Sequence, residues 1–270
     1  MFAFALTALA GLATGVGGLI GVLAGKSSKK FLAVCLSFSA GVMLYVSFAE
    51  ILREAFESLE HVFDASYLIA TLAFFGGITL IALIDKFVPH DDESLDLQGS
   101  GQALSGRAYL SRREKRELKR TGVMSTVAIA IHNFPEGLIT FMAAMHDPAL
   151  GVVIAVAIII HNIPEGIAMA APIYYATGSR TKALLVSTGA GLTELLGAAV
   201  AWLLLQNLFY DMEGVFGIIF AAVGGIMVYV AIHQLLPAAQ KYGKHHTVMK
   251  WMFAGMAVMA LSLVVLEYAF

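Results

Sequence analysis

Residues 123–145 read VMSTVAIAIHNFPEGLITFMAAM, and residues 149–175 read ALGVVIAVAIIIHNIPEGIAMAAPIYY. Each run is long enough to cross a hydrocarbon core about 30 Å thick, which takes roughly 20 apolar residues as a helix. Each also carries a polar sextet near its middle: His132-Asn133-Phe134-Pro135-Glu136-Gly137 and His161-Asn162-Ile163-Pro164-Glu165-Gly166. Five of the six letters repeat, 29 residues apart. An apolar span with an acid at its centre, made twice in succession, predicts an all-α polytopic membrane protein whose chemistry lies between two neighbouring helices at mid-membrane.

The same length template fits eight times: Phe2 to Ala24, Phe31 to Ile51, Ser66 to Val88, Val123 to Met145, Ala149 to Tyr175, Lys182 to Gln206, Val215 to Leu236 and Met249 to Phe270. Composition agrees, with 59% hydrophobic and 13% charged residues and a mean hydropathy of +0.81. Soluble domains hold roughly 45–50% apolar and about 25% charged residues. A formal charge of -2 excludes the basic surface that nucleic acid requires. Cys35 is the sole cysteine, so no intramolecular disulfide can form. The first basic residue is Lys26, too late for a secretory signal, and the first span is expected to be retained.

Of the 17 lysines and arginines, all but Arg53 fall in or beside the connections that follow odd-numbered spans. Such residues resist translocation. The chain is therefore expected to lie in a cell inner membrane with both termini outside the cytoplasm. It is read as a single transmembrane domain, 1–270, with a cytoplasmic linker over 89–122 that starts acidic (Asp91, Asp92, Glu93) and ends in a basic run, Arg112 to Arg120. The run is expected to touch anionic lipid. Glycines at four-residue intervals in the first span, such as Gly11 and Gly15 or Gly17 and Gly21, are expected to let helices pack closely.

An ionised carboxylate at the centre of a span costs roughly 3 kcal/mol on the insertion scale, so acids there default to function. His132 and Glu136 are four apart and Asn133 and Glu136 three apart, which places all three on one helical face; His161, Asn162 and Glu165 repeat the arrangement. The short connection makes the two helices antiparallel neighbours whose polar faces can meet. Pro135 and Pro164 release the carbonyls of Ile131 and Ile160 beside those faces. Imidazole with carboxylate suits zinc, whereas amide and carboxylate oxygens suit iron(II) or manganese. His132, Glu136, His161 and Glu165 make one candidate cluster; Asn133, Asn162 and the same glutamates, joined by Glu194 at the middle of the sixth span, make another. The implied cargo is a divalent metal ion.

Met43 and Glu50, seven apart on one face of the second span, are weaker candidates near the external inlet. His233 and Gln234 are weaker candidates for an exit at the inner end of the seventh span. His90, His245 and His246 fall in cytoplasmic segments, and Asp85 and Lys86 read as snorkelling residues at a helix end. Two other classes are weighed. A membrane metalloprotease would carry H-E-x-x-H, but Asn133 and Asn162 occupy the place of its general base. A carrier of organic solutes using a His–Glu proton relay would be indifferent to zinc.

The paired H-N-x-P-E-G sextets on the fourth and fifth of eight spans resemble those of the ZIP (Zrt/Irt-like) family of metal transporters. The segments Gly191-Leu192-Thr193-Glu194-Leu195-Leu196-Gly197 and Ala40-Gly41-Val42-Met43-Leu44 look closest to a bacterial branch of that family, and the resemblance covers essentially the whole chain. It implies a binuclear site in which His161, Glu136 and Glu165 favour zinc while Asn133, Asn162, Glu136, Glu165 and Glu194 take iron(II) or a second ion. It also implies uptake into the cytoplasm, broad divalent selectivity and homodimers. The chain departs from the family pattern in two places. Its third loop holds only His90 instead of a histidine-rich stretch, and Gln234 stands where an acid often precedes the Leu-x-Pro of the seventh span.

Overall fold

Hydrocarbon offers no partner for a free peptide group, so an apolar chain crosses it by closing its own backbone hydrogen bonds. The computed structural model describes residues 1–23, 29–87, 111–146, 148–207 and 213–269. Among the described residues, eight helices are long and apolar enough to cross a membrane: α1 Phe2–Leu23, α2 Lys29–Glu60, α3 Ser66–Lys86, α4 Glu114–Met145, α5 Ile154–Thr177, α6 Arg180–Leu203, α7 Gly217–Tyr242 and α8 His245–Val265. They follow the expected spans in order. One boundary differs most: the helix carrying α4 begins at Arg112, well before the expected Val123. Of the linker expected over 89–122, residues 89–110, His90 included, lie outside the described residues.

The helices form two groups. One gathers α1, α4, α5 and α6, with α1 against α5 and α4 against both α5 and α6; the other gathers α2, α3, α7 and α8, with α8 against α2 and α3 against α7. Within each group the backbones meet at glycines. A Cβ at Gly17 would collide with the Ile163 carbonyl, one at Gly166 with that of Thr14, and one at Gly137 with that of Glu194. In the other group, Gly41 faces the Met252 carbonyl and Gly77 that of Ala222. Lipid tails are as apolar as leucine and do not drive helices together, so close van der Waals contact at small residues carries the association. Helices α3 and α8 are the most peripheral, showing Leu72, Phe75 and Leu83 and Phe253, Leu261 and Val265 outward, apolar faces suited to lipid.

Among the described residues, three departures from regular helix fall beside polar residues. Helix α2 passes through a π turn at Ser47–Ile51, which contains Glu50. Helix α7 has another at Val230–Leu235, which contains His233 and Gln234. Helix α6 is interrupted at Leu192, between Arg180–Gly191 and Thr193–Asn207, immediately before Glu194. Helices α4 and α5 run on through Pro135 and Pro164.

The packing generates a paired test at adjacent glycines. Nothing lies within 4 Å of a Cβ at Gly76, whereas one at Gly77 meets the Ala222 backbone. Gly77→Ala is expected to cost about 1–3 kcal/mol through overpacking. Gly76→Ala is expected to be neutral or to add up to about 1 kcal/mol of helix propensity. Thermal unfolding of the purified variants in detergent checks this, and equal behaviour of the two would contradict the packing described.

Candidate metal centre

The four-residue spacing does what it predicted, since His132 and Glu136 lie on one face of α4, with His132 Nε2 2.9 Å from Glu136 Oε1. From α5, His161 Nε2 reaches the same oxygen at 2.6 Å. Glu165 Oε1 stands 3.6 Å from His132 Nε2. One nitrogen or oxygen from each of His132, Glu136 and His161 lies within 4.8 Å of the others, close enough to share one ion. All seven residues that the sequence singled out most strongly, His132, Asn133, Glu136, His161, Asn162, Glu165 and Glu194, are buried, none more than 6% exposed.

The amides are oriented by their nitrogens. Asn133 Nδ2 donates to the Ala190 carbonyl of α6 at 3.2 Å. Asn162 Nδ2 donates to the Ala10 carbonyl of α1 at 3.0 Å and to Glu194 Oε1 at 2.6 Å. Both amide oxygens are thereby freed. Asn133 Oδ1, Asn162 Oδ1, Glu136 Oε2, both oxygens of Glu165 and Glu194 Oε2 are buried without a hydrogen-bond donor. A buried acceptor left unpaired costs about 1–3 kcal/mol, and more when charged. Six such oxygens belong to the sextets and Glu194, and one atom each of His132, Glu136 and His161 stands close enough to the others to share a dication. Imidazole with carboxylate is a donor set that suits zinc.

Residues outside the sextets hold the frame. Thr193 Oγ1 donates to the carbonyls of Ala190, at 2.6 Å, and Ala130, at 3.0 Å, pinning the α6 interruption against α4. Ser39 Oγ donates to the Pro164 carbonyl at 2.8 Å, tying α2 to α5. Neither was singled out in the sequence, where a lone hydroxyl in an apolar span carries no distinguishing signal.

The weaker candidates divide. Glu50 lies within electrostatic reach of His161 and Glu136, and its Oε2 is buried without a donor. Met43 is buried in the main apolar cluster, against which Ile131 and Ile160 pack. His233 and Gln234 stand elsewhere, in a cluster around Asp85. That aspartate is 4% exposed. It accepts from Tyr229 OH at 3.1 Å and Gln234 Nε2 at 3.1 Å, pairs with Arg120, and lies 3.7 Å from His233 Nδ1. Asp85 is therefore no snorkelling residue at a helix end. The cluster joins α3, α4 and α7, and no spacing along one helix could have disclosed it. Within the basic run, Glu114 and Glu117 pair with Lys29 of α2 and Lys241 of α7, contacts beyond its reading as a lipid anchor.

Comparison with known proteins identifies the family. A family model described as ZIP zinc transporter matches residues 1–119 and 90–263. The zinc transporter ZupT of Nitratidesulfovibrio vulgaris is 53% identical over 270 residues, covering 97% of this chain and 96% of that protein. Those of Corynebacterium glutamicum and Clostridium perfringens are 50% and 46% identical, covering 97% of this chain and 98% and 95% of theirs. With these matches spanning nearly its full length, the chain belongs to the ZIP zinc transporter family.

Proposed function

We propose that this protein takes up zinc into the cytoplasm, and iron(II) or manganese with it, through a binuclear site at the middle of the membrane. The observation that carries the reading is the close approach of His132, Glu136 and His161 from the duplicated sextets, with buried, donorless carboxylate oxygens on Glu136 and Glu165. Relatives named as zinc transporters support the cargo and favour transport over hydrolysis. His132, Glu136, His161 and Glu165 take the zinc. Asn133, Asn162 and Glu194, with the same glutamates, take the harder second ion.

Transport proceeds by alternating access around this fixed point. Glu50, at the π turn of α2, receives the ion on one side, and it sheds water onto His161, Glu136 and Glu165. The other side then opens. The distribution of lysine and arginine supports a bacterial inner-membrane location with both termini outside the cytoplasm. Lipid-covered α3 and α8 leave room for a homodimer. Neither imidazole has a hydrogen-bond partner at Nδ1. Resident metal sites brace that nitrogen, and losing the brace weakens binding about 10–100-fold. A site that must give up its ion each cycle has use for that weakness.

Glu136→Ala and Glu165→Ala are each expected to bring radioactive zinc uptake down to background in cells lacking other zinc importers, at equal membrane abundance; wild-type uptake by either would sink the proposal. Zinc at about 100 times its Kd is expected to stabilise the wild-type protein by about 2.7 kcal/mol, through binding to the folded state alone. Thermal unfolding should show that gain and its loss in both variants. Asn162→Ala is expected to lower iron(II) uptake by several-fold more than zinc uptake, as competition between the two ions would reveal. An equal fall for both would argue against separate ligand sets.

A further inference from the structure

The polar start of the α4 helix has two faces. Arg112, Lys115, Arg116 and Lys119 point to the exterior. Glu114, Glu117 and Arg120, three apart, share the other face with Leu118, which is 1% exposed. Each of the three meets a different helix. Glu114 Oε1 lies 2.8 Å from Lys29 Nζ on α2, Glu117 pairs with Lys241 on α7, and Arg120 pairs with Asp85 on α3. Helices α2, α3 and α7 all belong to one helix group, and α4 belongs to the other. Beside the Glu117–Lys241 pair lies a cavity of about 170 Å³, lined among others by Thr121, His233 and Gln234.

We propose that this stretch of α4 is an ionic clasp that holds the lysine- and arginine-rich end of the transporter shut, and that its release is the step that opens the metal site toward that end. The inference rests on the alternating-access reading above. Magnitudes assign unequal parts. The outer two pairs are roughly 20–40% exposed, and exposed pairs contribute little individually. The Asp85 carboxylate is only 5% exposed, where breaking an ion pair leaves a poorly solvated charge. Asp85 nevertheless keeps two donors when Arg120 departs, because Tyr229 and Gln234 sit on α7, in its own group. The closed arrangement is held by Arg120 and the open one remains tolerable. An element with two acceptable arrangements is what a gate requires.

The test uses the full-length protein in nanodiscs, with Cys35→Ala to remove the native thiol and Thr121→Cys as a reporter in the cavity. The readout is the rate of reaction with a polar maleimide, followed alongside zinc-induced thermal stabilisation. Asp85→Asn is expected to raise the labelling rate about tenfold, since a neutral amide replaces the buried charge. Glu117→Lys is expected to raise it about threefold by turning attraction into repulsion. Combining Glu117→Lys with Lys241→Glu should bring it back to within about twofold of the parent, a rescue that loosened packing would not give. Labelling rates that stay at the parent level in both single variants, with zinc stabilisation intact, would overturn the clasp and leave the metal-transport reading standing. Should Asp85→Asn fail to fold, the charge reversal at Glu117 and its rescue decide alone. Labelling that responds as expected in a protein that zinc neither stabilises nor crosses would support the clasp and remove zinc as the cargo.

Discussion

Carboxylates buried in a membrane protein without donors set the condition that the remaining architecture meets. Glu136, Glu165 and Glu194 sit between helices whose outer faces meet lipid, and four of their oxygens have no hydrogen-bond donor. The group of α1, α4, α5 and α6 is arranged so that the nitrogens of Asn133 and Asn162 are served by backbone carbonyls and their oxygens are left without donors. Ala10 and Ala190 supply carbonyls to the two asparagine amides. Those carbonyls are within reach because Gly17 and Gly166 let α1 meet α5, and Gly137 lets α4 meet α6, at backbone contact. The small residues and the cation site are thus one design: a larger side chain at any of these glycines would push apart the helices that aim the oxygens inward.

Backbone irregularity follows the same logic. A π turn or an interrupted helix leaves peptide groups less well paired, which hydrocarbon tolerates only where protein or a polar cavity takes up the difference. The interruption at Leu192 is braced by Thr193 and delivers Glu194 to Asn162. The π turns of α2 and α7 contain Glu50 and the His233–Gln234 pair. Each irregularity therefore falls beside a polar group that is buried: Glu50 Oε2, Gln234 and Glu194.

What was legible in the sequence was what depends on one helix at a time. Span length and hydropathy gave eight helices in the right order, and the i, i+4 spacing placed His132 beside Glu136 and aimed both toward His161. Glu194 was legible from depth alone. The π turns were not, because SFAEI and VAIHQL differ in no local propensity from ordinary helix. Asp85 was misread because its partners, Arg120, Tyr229 and Gln234, come from two other helices far along the chain. The inward pairing of the basic run was not legible, because its count of positive charges concealed two glutamates and an arginine spaced to meet three helices. Positive residues fix which side of a membrane a segment occupies, but the acids among them decide what that segment grips.

The two helix groups differ in how they are joined. Within each, glycine-mediated backbone contacts leave no slack: Gly166 against Thr14, or Gly41 against Met252, cannot slide without steric collision. Across the boundary, the contacts include a hydroxyl from Ser39 to Pro164 and the ion pairs of the α4 extension. The exposed ion pairs can be exchanged for water at modest cost, and Asp85 keeps two donors when Arg120 leaves, whereas interlocked backbones cannot be exchanged. Relative motion, in the proposed cycle, therefore belongs to this boundary and not to the interior of either group. The site residues of α4, α5 and α6 then travel together and keep their mutual geometry. Glu50, on α2, lies across the boundary from them, so the same movement that opens one end of the path also withdraws the carboxylate that received the ion.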